Sequence, residues 1–261
     1  MRGFADLAGR TAIVTGASSG IGAAIAEYFG RAQMRVALAA RRAALLEEAA
    51  GRVRSAGGEA LVVPADVRDP VALTRLADLT RETWGRIDVL VANAGIGGGS
   101  VLRLSDEEIV ELFEVNLLGV IRSARAVLPA MLAQGDGHII AIASLAGKVM
   151  VPATSYGITK AGVLAFCDSL RRAVAASGVR VSAVTPGWVA TPMSERVRPR
   201  RVVVPDVVAA AVVRLLQHPK PEVIVPGFYR IALGLTRYLP FLVDALLPYF
   251  VRRAARDQRG R

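Results

Sequence analysis

Tyr156 and Lys160 stand four residues apart in the segment Tyr156-Gly157-Ile158-Thr159-Lys160. On a helix that spacing puts both side chains on one face. An unperturbed tyrosine titrates at about 10 and is a poor acid or base near neutrality. A neighbouring ammonium favours the phenolate and lowers that value. Such a pair can pass a proton to or from a substrate oxygen. The spacing alone is weak evidence, since chance pairs of this kind are common and most are surface contacts. Other polar groups join it. Ser144 ends one predicted strand, Asn93-Ala94-Gly95 ends another and Pro186-Gly187 a third. Asn116 lies inside a long helical stretch, where asparagine has poor propensity.

A second kind of chemistry is written near the N-terminus. Thr15-Gly16-Ala17-Ser18-Ser19-Gly20-Ile21-Gly22 follows a short apolar run. Its G-x-x-x-G-x-G spacing is related to the dinucleotide fingerprint without matching it. Glycines allow the tight turn and let backbone N–H groups approach a pyrophosphate at a helix N-terminus. An ordinary glycine-rich turn would look similar, but the position between a first strand and a first helix favours the binding loop. An NAD site usually carries an acid at the end of the second strand, for the ribose 2′-hydroxyl. Here the stretch is Leu38-Ala39-Ala40-Arg41-Arg42, with no carboxylate. A guanidinium suits a 2′-phosphate, so NADP(H) is the expected cofactor. Arg41 is the first candidate and Arg42 the second.

These residues must be carried by a regular scaffold, and the chain reads as one. Predicted strands cover Thr11–Thr15, Arg35–Ala39, Ala60–Pro64, Val89–Ala92, His138–Ala143, Arg180–Val184 and Glu222–Val225. Helical patterns fill the intervals: Ile21–Arg31, Ala43–Ala56, a helix opened by Pro70, Tyr156–Ser177 and Asp206–Leu216. A further helix runs from a capping box at Ser105 and Glu108 to about Leu132. Alternating strands and helices imply parallel βαβ units with helices on both faces of the sheet. Ligands on such sheets bind beyond the carboxyl ends of the strands. Ser144, Asn93-Ala94-Gly95 and Pro186-Gly187 all fall on that edge.

Composition narrows the class further. The 261 residues are 53% hydrophobic and 21% charged, which excludes wholesale disorder. A single cysteine, Cys167, excludes an intrachain disulfide framework and a cysteine-based zinc site. With only His138 and His218 as histidines, no metal site is expected. Cys167 reads as a buried helix residue rather than a nucleophile. The net charge is +11, of which +8 falls between Glu195 and Arg261. A basic end can meet nucleic acid or an anionic membrane, but a solvated surface is the plainer reading. No aromatic-basic platform or reading helix is present, so no nucleic-acid partner is expected. Met1–Arg10 has no apolar signal stretch, which makes the cytoplasm the expected location.

Taken together, the motifs resemble the short-chain dehydrogenase/reductase family. The resemblance rests on the glycine loop, Asp66-Val67, Asn93-Ala94-Gly95, Asn116, Ser144, Tyr156 with Lys160, and Pro186-Gly187, all in family order. It implies a Rossmann-type doubly wound sheet of about seven parallel strands. It implies that Tyr156 is the general acid for carbonyl reduction, or the base for alcohol oxidation. Lys160 would bond the nicotinamide ribose and depress the Tyr156 pKa, and Ser144 would bond the substrate oxygen. Asn116 would hold a water in a proton relay to Lys160. Asp66 would contact adenine, with Val67 beside it, and Asn93, Ala94 and Gly95 would line the cofactor. Pro186, Gly187, Val189 and Thr191 are expected along the cofactor, with Thr191 meeting the carboxamide. From Ser144 to Tyr156 the chain advances twelve residues, one fewer than is usual in the family. Ala92 stands before Asn93, where the family often has a second asparagine.

The expected function is NADP(H)-dependent interconversion of a carbonyl and an alcohol on a lipophilic substrate. The alternative is a catalytically idle dinucleotide-binding or interaction protein, against which the intact Asn116, Ser144, Tyr156 and Lys160 argue. The expected organisation is a catalytic domain over 1–226 and an extension over 227–261. Arg196, Arg198, Arg200 and Arg201 crowd the segment after Pro186-Gly187, where the family sets its substrate choice. In the extension, Phe228–Val251 is apolar but interrupted by Arg230, Arg237, Pro240, Asp244 and Pro248, so it is unsuited to span a bilayer. It could line the substrate pocket, pack in an oligomer interface or lie in a membrane surface, and it is expected to cap a lipophilic pocket and to make peripheral membrane contact. A homodimer or homotetramer is the expected assembly.

Overall fold

The computed structural model describes residues 7–149, 154–194, 202–230, 233–234 and 241. The chain divides into two units, Met1–Pro226 and Gly227–Arg261. Most of the apolar segment of the second unit, its basic end and the cluster Arg196, Arg198, Arg200 and Arg201 lie outside the described residues.

The first unit holds seven strands: β1 Thr11–Thr15, β2 Arg35–Ala40, β3 Glu59–Pro64, β4 Val89–Ala92, β5 Gly137–Ile142, β6 Val179–Pro186 and β7 Glu222–Val225. All pair in parallel, in the order β3-β2-β1-β4-β5-β6-β7. The order reverses between β1 and β4, which opens a crevice at their carboxyl ends. The helices are α1 Gly20–Arg31, α2 Ala43–Ser55, α3 Pro70–Trp84, α4 Asp106–Phe113, α5 Gly119–Gln134, α6 Ser155–Ala173 and α7 Pro205–Gln217.

The alternation of side chains along each strand builds two cores. Val14, Val36, Val91 and Ile140 pack with Ile25 and Phe29 of α1, Leu46 of α2 and Val212 of α7. Their strand neighbours Ile13, Ala37, Leu90 and Ile139 face the other way, onto Leu73 of α3, Met131 of α5 and Val163 of α6. Runs buried on both faces are the signature of a parallel sheet covered by helices. Each fully buried large side chain contributes roughly 1.5–3 kcal/mol, so these two layers supply the main driving force.

The expected boundaries hold to within one residue, with three larger differences. The long helix after Ser105 is interrupted by a π-helical turn over Glu114–Leu118. Its start is as read: Ser105 Oγ accepts from Glu108 N–H, and Glu108 Oε2 accepts from Ser105 N–H. The helix carrying Tyr156 stops at Ala173, not Ser177. There Ser177 Oγ donates to Val174 O and accepts from Val179 N–H, and Gly178 takes φ +82°, so a turn replaces the last helical turn. The freed chain lengthens β6, which begins at Val179 and continues to Pro186.

At the amino edge of β5, His138 is 4% exposed. Its Nε2 lies 2.8 Å from Ser182 Oγ, and that hydroxyl donates to Lys220 O at 2.6 Å. The Ser182 proton is committed, so Nε2 carries the imidazole proton as donor. Burial, reinforced by Arg180 and opposed by Asp136, pushes the His138 pKa down to about 4. The unfolded chain therefore binds the extra proton first as pH falls below about 6.5. Stability should fall between about pH 6.5 and 4, by on the order of 3 kcal/mol from this group over the full window. Denaturant titrations of the wild type and His138→Gln across that range check this. The variant should lose that part of the pH dependence, and an unchanged slope would refute the assignment.

Candidate active site

The crevice between β1 and β4 is closed at its floor by one side chain. Asn93 Nδ2 donates to Thr15 O at 3.0 Å and to Gly16 O at 3.2 Å. In return, Thr15 Oγ1 accepts from Asn93 N–H and Ala94 N–H. A side chain on Gly16 would meet Ala94 Cα at 2.8 Å, and φ is +66° there. A Cβ on Gly22 would overlap the Gly16 carbonyl oxygen. Gly20, at φ +57°, has Thr191 Cγ2 at 3.1 Å from where its Cβ would be. The loop is thus a cradle that glycine alone keeps open.

α1 begins against this cradle, and Ser19 at its N-cap makes no side-chain cap. Its first N–H groups remain available to an anion, in the field of the helix dipole. The Ser18 and Ser19 hydroxyls instead accept from Arg42 Nη2, at 3.0 and 2.9 Å. Arg41 is exposed, and its charge helps hold Asp66 ionised. The geometry thus brings Arg42, rather than the expected first candidate Arg41, onto the glycine loop. These residues fit a dinucleotide phosphate group: a Cβ-free cradle, open N–H donors and a fixed guanidinium.

Asp66 follows β3, with Val67 buried behind it. Its carboxylate is gripped by Arg68, whose Nη2 lies 2.7 Å from Oδ2 and whose Nε donates to both oxygens. That hydrogen bonding holds the Asp66 pKa below the usual carboxylate range. Arg68 Nη1 also reaches Glu111 on α4, at 3.4 Å. Arg68 was not singled out from sequence. Its signal was the Asp66-Val67-Arg68 turn, in which Asp66 Oδ1 accepts from Arg68 N–H.

At the other side of the crevice, β5 ends before Ser144, which caps a short 3-10 turn, Leu145–Gly147, through Ala146 N–H. Tyr156 and Lys160 rise from the first two turns of α6, on one face as their spacing predicts. Lys160 is 3% exposed, and its Nζ donates to Ile142 O at 2.8 Å. Burial pushes its pKa down to about 8. Nζ also lies 5.7 Å from the Tyr156 ring centroid. Burial raises the Tyr156 pKa above its ordinary value, and a hydrogen bond from Ser144 opposes that rise. The expected depression by Lys160 does not appear in this structure: desolvation of the phenol governs, and Ser144 is what opposes it.

Asn116 sits in the π-helical turn and is fully buried. Its Oδ1 accepts from Ile96 N–H at 2.8 Å, while Nδ2 donates to Ile96 O at 3.0 Å and to Thr159 Oγ1 at 3.3 Å. A Cβ added to Gly95 would stand 3.2 Å from Asn116 Oδ1 and 3.6 Å from Lys160 Nζ. Gly95 is therefore where the β4 end, Asn116 and Lys160 meet. Thr159 was not singled out from sequence, though its place beside Lys160 was visible.

Beyond β6, Gly187 N–H donates to Val225 O, and Val189 is buried beside a bridge to Val203. Ser194 Oγ accepts from Thr191 N–H at 3.0 Å and closes the turn through Val189 O and Thr191 O. Pro186, Gly187, Val189 and Thr191 thus belong to one folded wall beyond β6, and Thr191 brings it against Gly20. Trp188 and Met193, about half exposed, stand on that wall. Among the described residues, no group of His, Cys, Asp or Glu could hold a metal ion.

A family model described as short chain dehydrogenase matches residues 10–202. The ketoacyl reductase HetN of Nostoc sp. is 35% identical over 258 residues, spanning 94% of this chain and 90% of its own length. A short-chain dehydrogenase/reductase from Burkholderia phymatum, solved in complex with NAD, matches with a TM-score of 0.83 at 27% identity, over 90% of this chain and 95% of that one. An actinorhodin polyketide ketoreductase variant, solved with NADPH, matches with a TM-score of 0.77 at 36% identity, over 84% of this chain and 96% of that one. The seven-stranded doubly wound sheet agrees with these likenesses, and the chain belongs to the short-chain dehydrogenase/reductase family of oxidoreductases.

Proposed function

We propose that the protein is an NADP(H)-dependent oxidoreductase that interconverts a carbonyl and an alcohol on a lipophilic substrate. The observation that carries this reading is the meeting of Tyr156, Ser144 and Lys160 at the carboxyl edge of β5, across the crevice from the glycine cradle. A nicotinamide cofactor, when bound, would supply or accept the hydride. The protein supplies the proton at the substrate oxygen, from Tyr156 Oη. Burial keeps that phenol protonated near neutrality, which suits donation to a carbonyl that is being reduced. Ser144 holds the same oxygen by a hydrogen bond. Lys160 presents a buried ammonium toward Gly95, where a ribose hydroxyl can accept from it. Asn116 and Thr159 tie the β4 end to α6, which fixes this geometry.

Two features favour NADP(H) over NAD(H). No carboxylate stands at the end of β2, and Arg42 is already aimed across the Ser18 and Ser19 hydroxyls. A guanidinium there can make charge-assisted bonds to a 2′-phosphate. A lipophilic substrate is supported by the exposed Trp188 and Met193 beyond β6 and by Met193 Cγ at 3.4 Å from the Gly97 Cβ position. The names of the ketoacyl reductase and polyketide ketoreductase relatives point to a ketoacyl chain as the class to test first.

Tyr156→Phe removes the proton donor and keeps the ring. Turnover, followed as NADPH absorbance with a ketoacyl substrate, should fall by at least ~100-fold. Cofactor affinity should stay near native. Near-native turnover, with chemistry rate-limiting, would remove Tyr156 from the reaction.

Arg42→Ala should weaken NADPH binding by about 1–3 kcal/mol and leave NADH nearly unaffected. Arg41→Ala should cost less. Fluorescence titration with both cofactors measures this. Equal losses for NADPH and NADH would assign Arg42 to the fold instead.

Lys160 gives a pH signature. Its ammonium is complete below about pH 8 and is lost as pH rises through that value. NADPH affinity should therefore fall above pH 8. The Lys160→Met variant should bind more weakly and lack that limb. A limb that persists in the variant would place the titration elsewhere.

A further inference from the structure

The turn that carries Ser144 is held from a direction the reaction does not use. Lys148, at the end of that turn, places Nζ 2.8 Å from Glu222 Oε2. The other oxygen of Glu222 accepts from Thr185 Oγ1 at 2.6 Å. The two charged side chains are only 29% and 27% exposed, unlike most ion pairs of this molecule. Thr185 is fully buried and directly precedes Pro186-Gly187. Glu222 opens β7 and is paired with Ala183 on β6. One carboxylate therefore joins β6 and β7 to the far end of the Ser144 turn.

The near side of the same turn is pressed against α6. A Cβ on Gly147 would stand 2.7 Å from Ala161 N and Lys160 C, and one on Gly157 would stand 2.7 Å from Ala146 O. The turn itself is closed by Gly147 N–H to Ser144 O and by Lys148 N–H to Leu145 O. It is a wedge between the helix that bears Tyr156 and Lys160 and the β6–β7 edge. Lys148 is one of three lysines in a chain with 30 arginines, so composition does not account for it. A flexible single-point donor suits a carboxylate already bonded on its other oxygen better than a planar fork does.

We propose that the Lys148–Glu222 pair is a positioning device, which clamps the Ser144–Gly147 turn onto α6 and so fixes the Ser144 hydroxyl against the Tyr156 phenol. The proposal rests on the reading of Ser144 and Tyr156 as the reacting pair. The clamp explains how a Ser-to-Tyr connection one residue shorter than usual keeps its two ends in register. Thr185 serves as the second anchor, because it holds the other Glu222 oxygen from β6. Loss of Lys148 leaves a half-buried carboxylate with one partner, which drives Glu222 toward solvent and releases the turn.

The test uses the full chain with NADPH and a ketoacyl substrate. Lys148→Met should lower kcat about tenfold, as a small misplacement of a reacting group does, with NADPH affinity unchanged. With Ser144 displaced, the phenol loses a bond that favours its ionised form, so a pH–rate limb set by ionisation of Tyr156 should move upward. Lys148→Arg should restore part of kcat, and Lys148→Met combined with Glu222→Gln should cost less than the sum of the single changes. If Lys148→Met does not fold, Glu222→Asp, which withdraws the carboxylate by one methylene, carries the same readouts. Native kcat and an unmoved pH limb, with only thermal stability reduced, would overturn the proposal. Tyr156→Phe measured alongside separates the two readings. If Tyr156→Phe is inactive while Lys148→Met is native, the positioning role alone fails. If Tyr156→Phe keeps native turnover, the active-site reading fails and the clamp with it.

Discussion

The close approach of β1 to β4 at their carboxyl ends is the constraint on which the rest depends. Two backbones pass there with no space for a side chain at Gly16 or Gly22, and Asn93 bonds across the gap to Thr15 O and Gly16 O. Those carbonyls would otherwise be buried acceptors, each costing about 1–3 kcal/mol unpaired. Asn93 therefore serves the fold and the site with one amide. It closes the floor of the crevice and sets the height at which α1 presents its open N–H groups. A larger residue at either glycine would move the α1 N-terminus and the β4 end together, and Gly95 with them. Because Gly95 adjoins Asn116 and Lys160, an error at the phosphate end would reach the reacting end.

The reacting end is built differently, from buried polar side chains whose desolvation is offset bond by bond. Asn116 spends both amide protons and an oxygen lone pair on Ile96 and Thr159. Lys160 is held by the Ile142 carbonyl. A buried network of this kind is rigid when every member is satisfied and costly when one is missing. The π-helical turn over Glu114–Leu118 fits the same logic, since wider turns of this type arise where a helix must re-aim a side chain. The irregular turn between α4 and α5 falls on Asn116 and its neighbours.

Much of this was legible in the sequence because it is local. The alternation of strands and helices, the capping box at Ser105 and the Tyr156–Lys160 face each depend on residues within one turn or one strand. The unusual Asn116 was legible as a residue out of place in a helix, although the π turn that accommodates it was not. What was hidden depends on side-chain direction or on distant pairing. Arg41 and Arg42 are adjacent in sequence, and only the entry angle of α2 decides which one turns back over Ser18 and Ser19. The grip of Arg68 on Asp66 competes with the adenine contact expected of that carboxylate, and nothing in the residue types announced it. Lys148 and Glu222 meet only because β7 pairs with β6, which a reading of separate elements does not contain.

Buried ionisable groups occur at both ends of the sheet, and their contrast shows what makes one of them chemical. His138 and Lys160 are both shifted by the same cause, loss of water, to about 4 and about 8. His138 lies at the amino edge, where Ser182 and the Lys220 carbonyl complete a closed chain of hydrogen bonds. Its proton has nowhere to go, and neutrality is the whole of its role. Lys160 lies at the carboxyl edge, beside a glycine whose missing side chain leaves a path from the crevice to its ammonium. A perturbed pKa therefore selects candidates, but it does not separate structural from reactive groups. The separation comes from topology. Helices must follow strands at the carboxyl edge, so loops, open helix N-termini and unpaired strand ends collect there. A buried charge placed at that edge borders space that a ligand can fill.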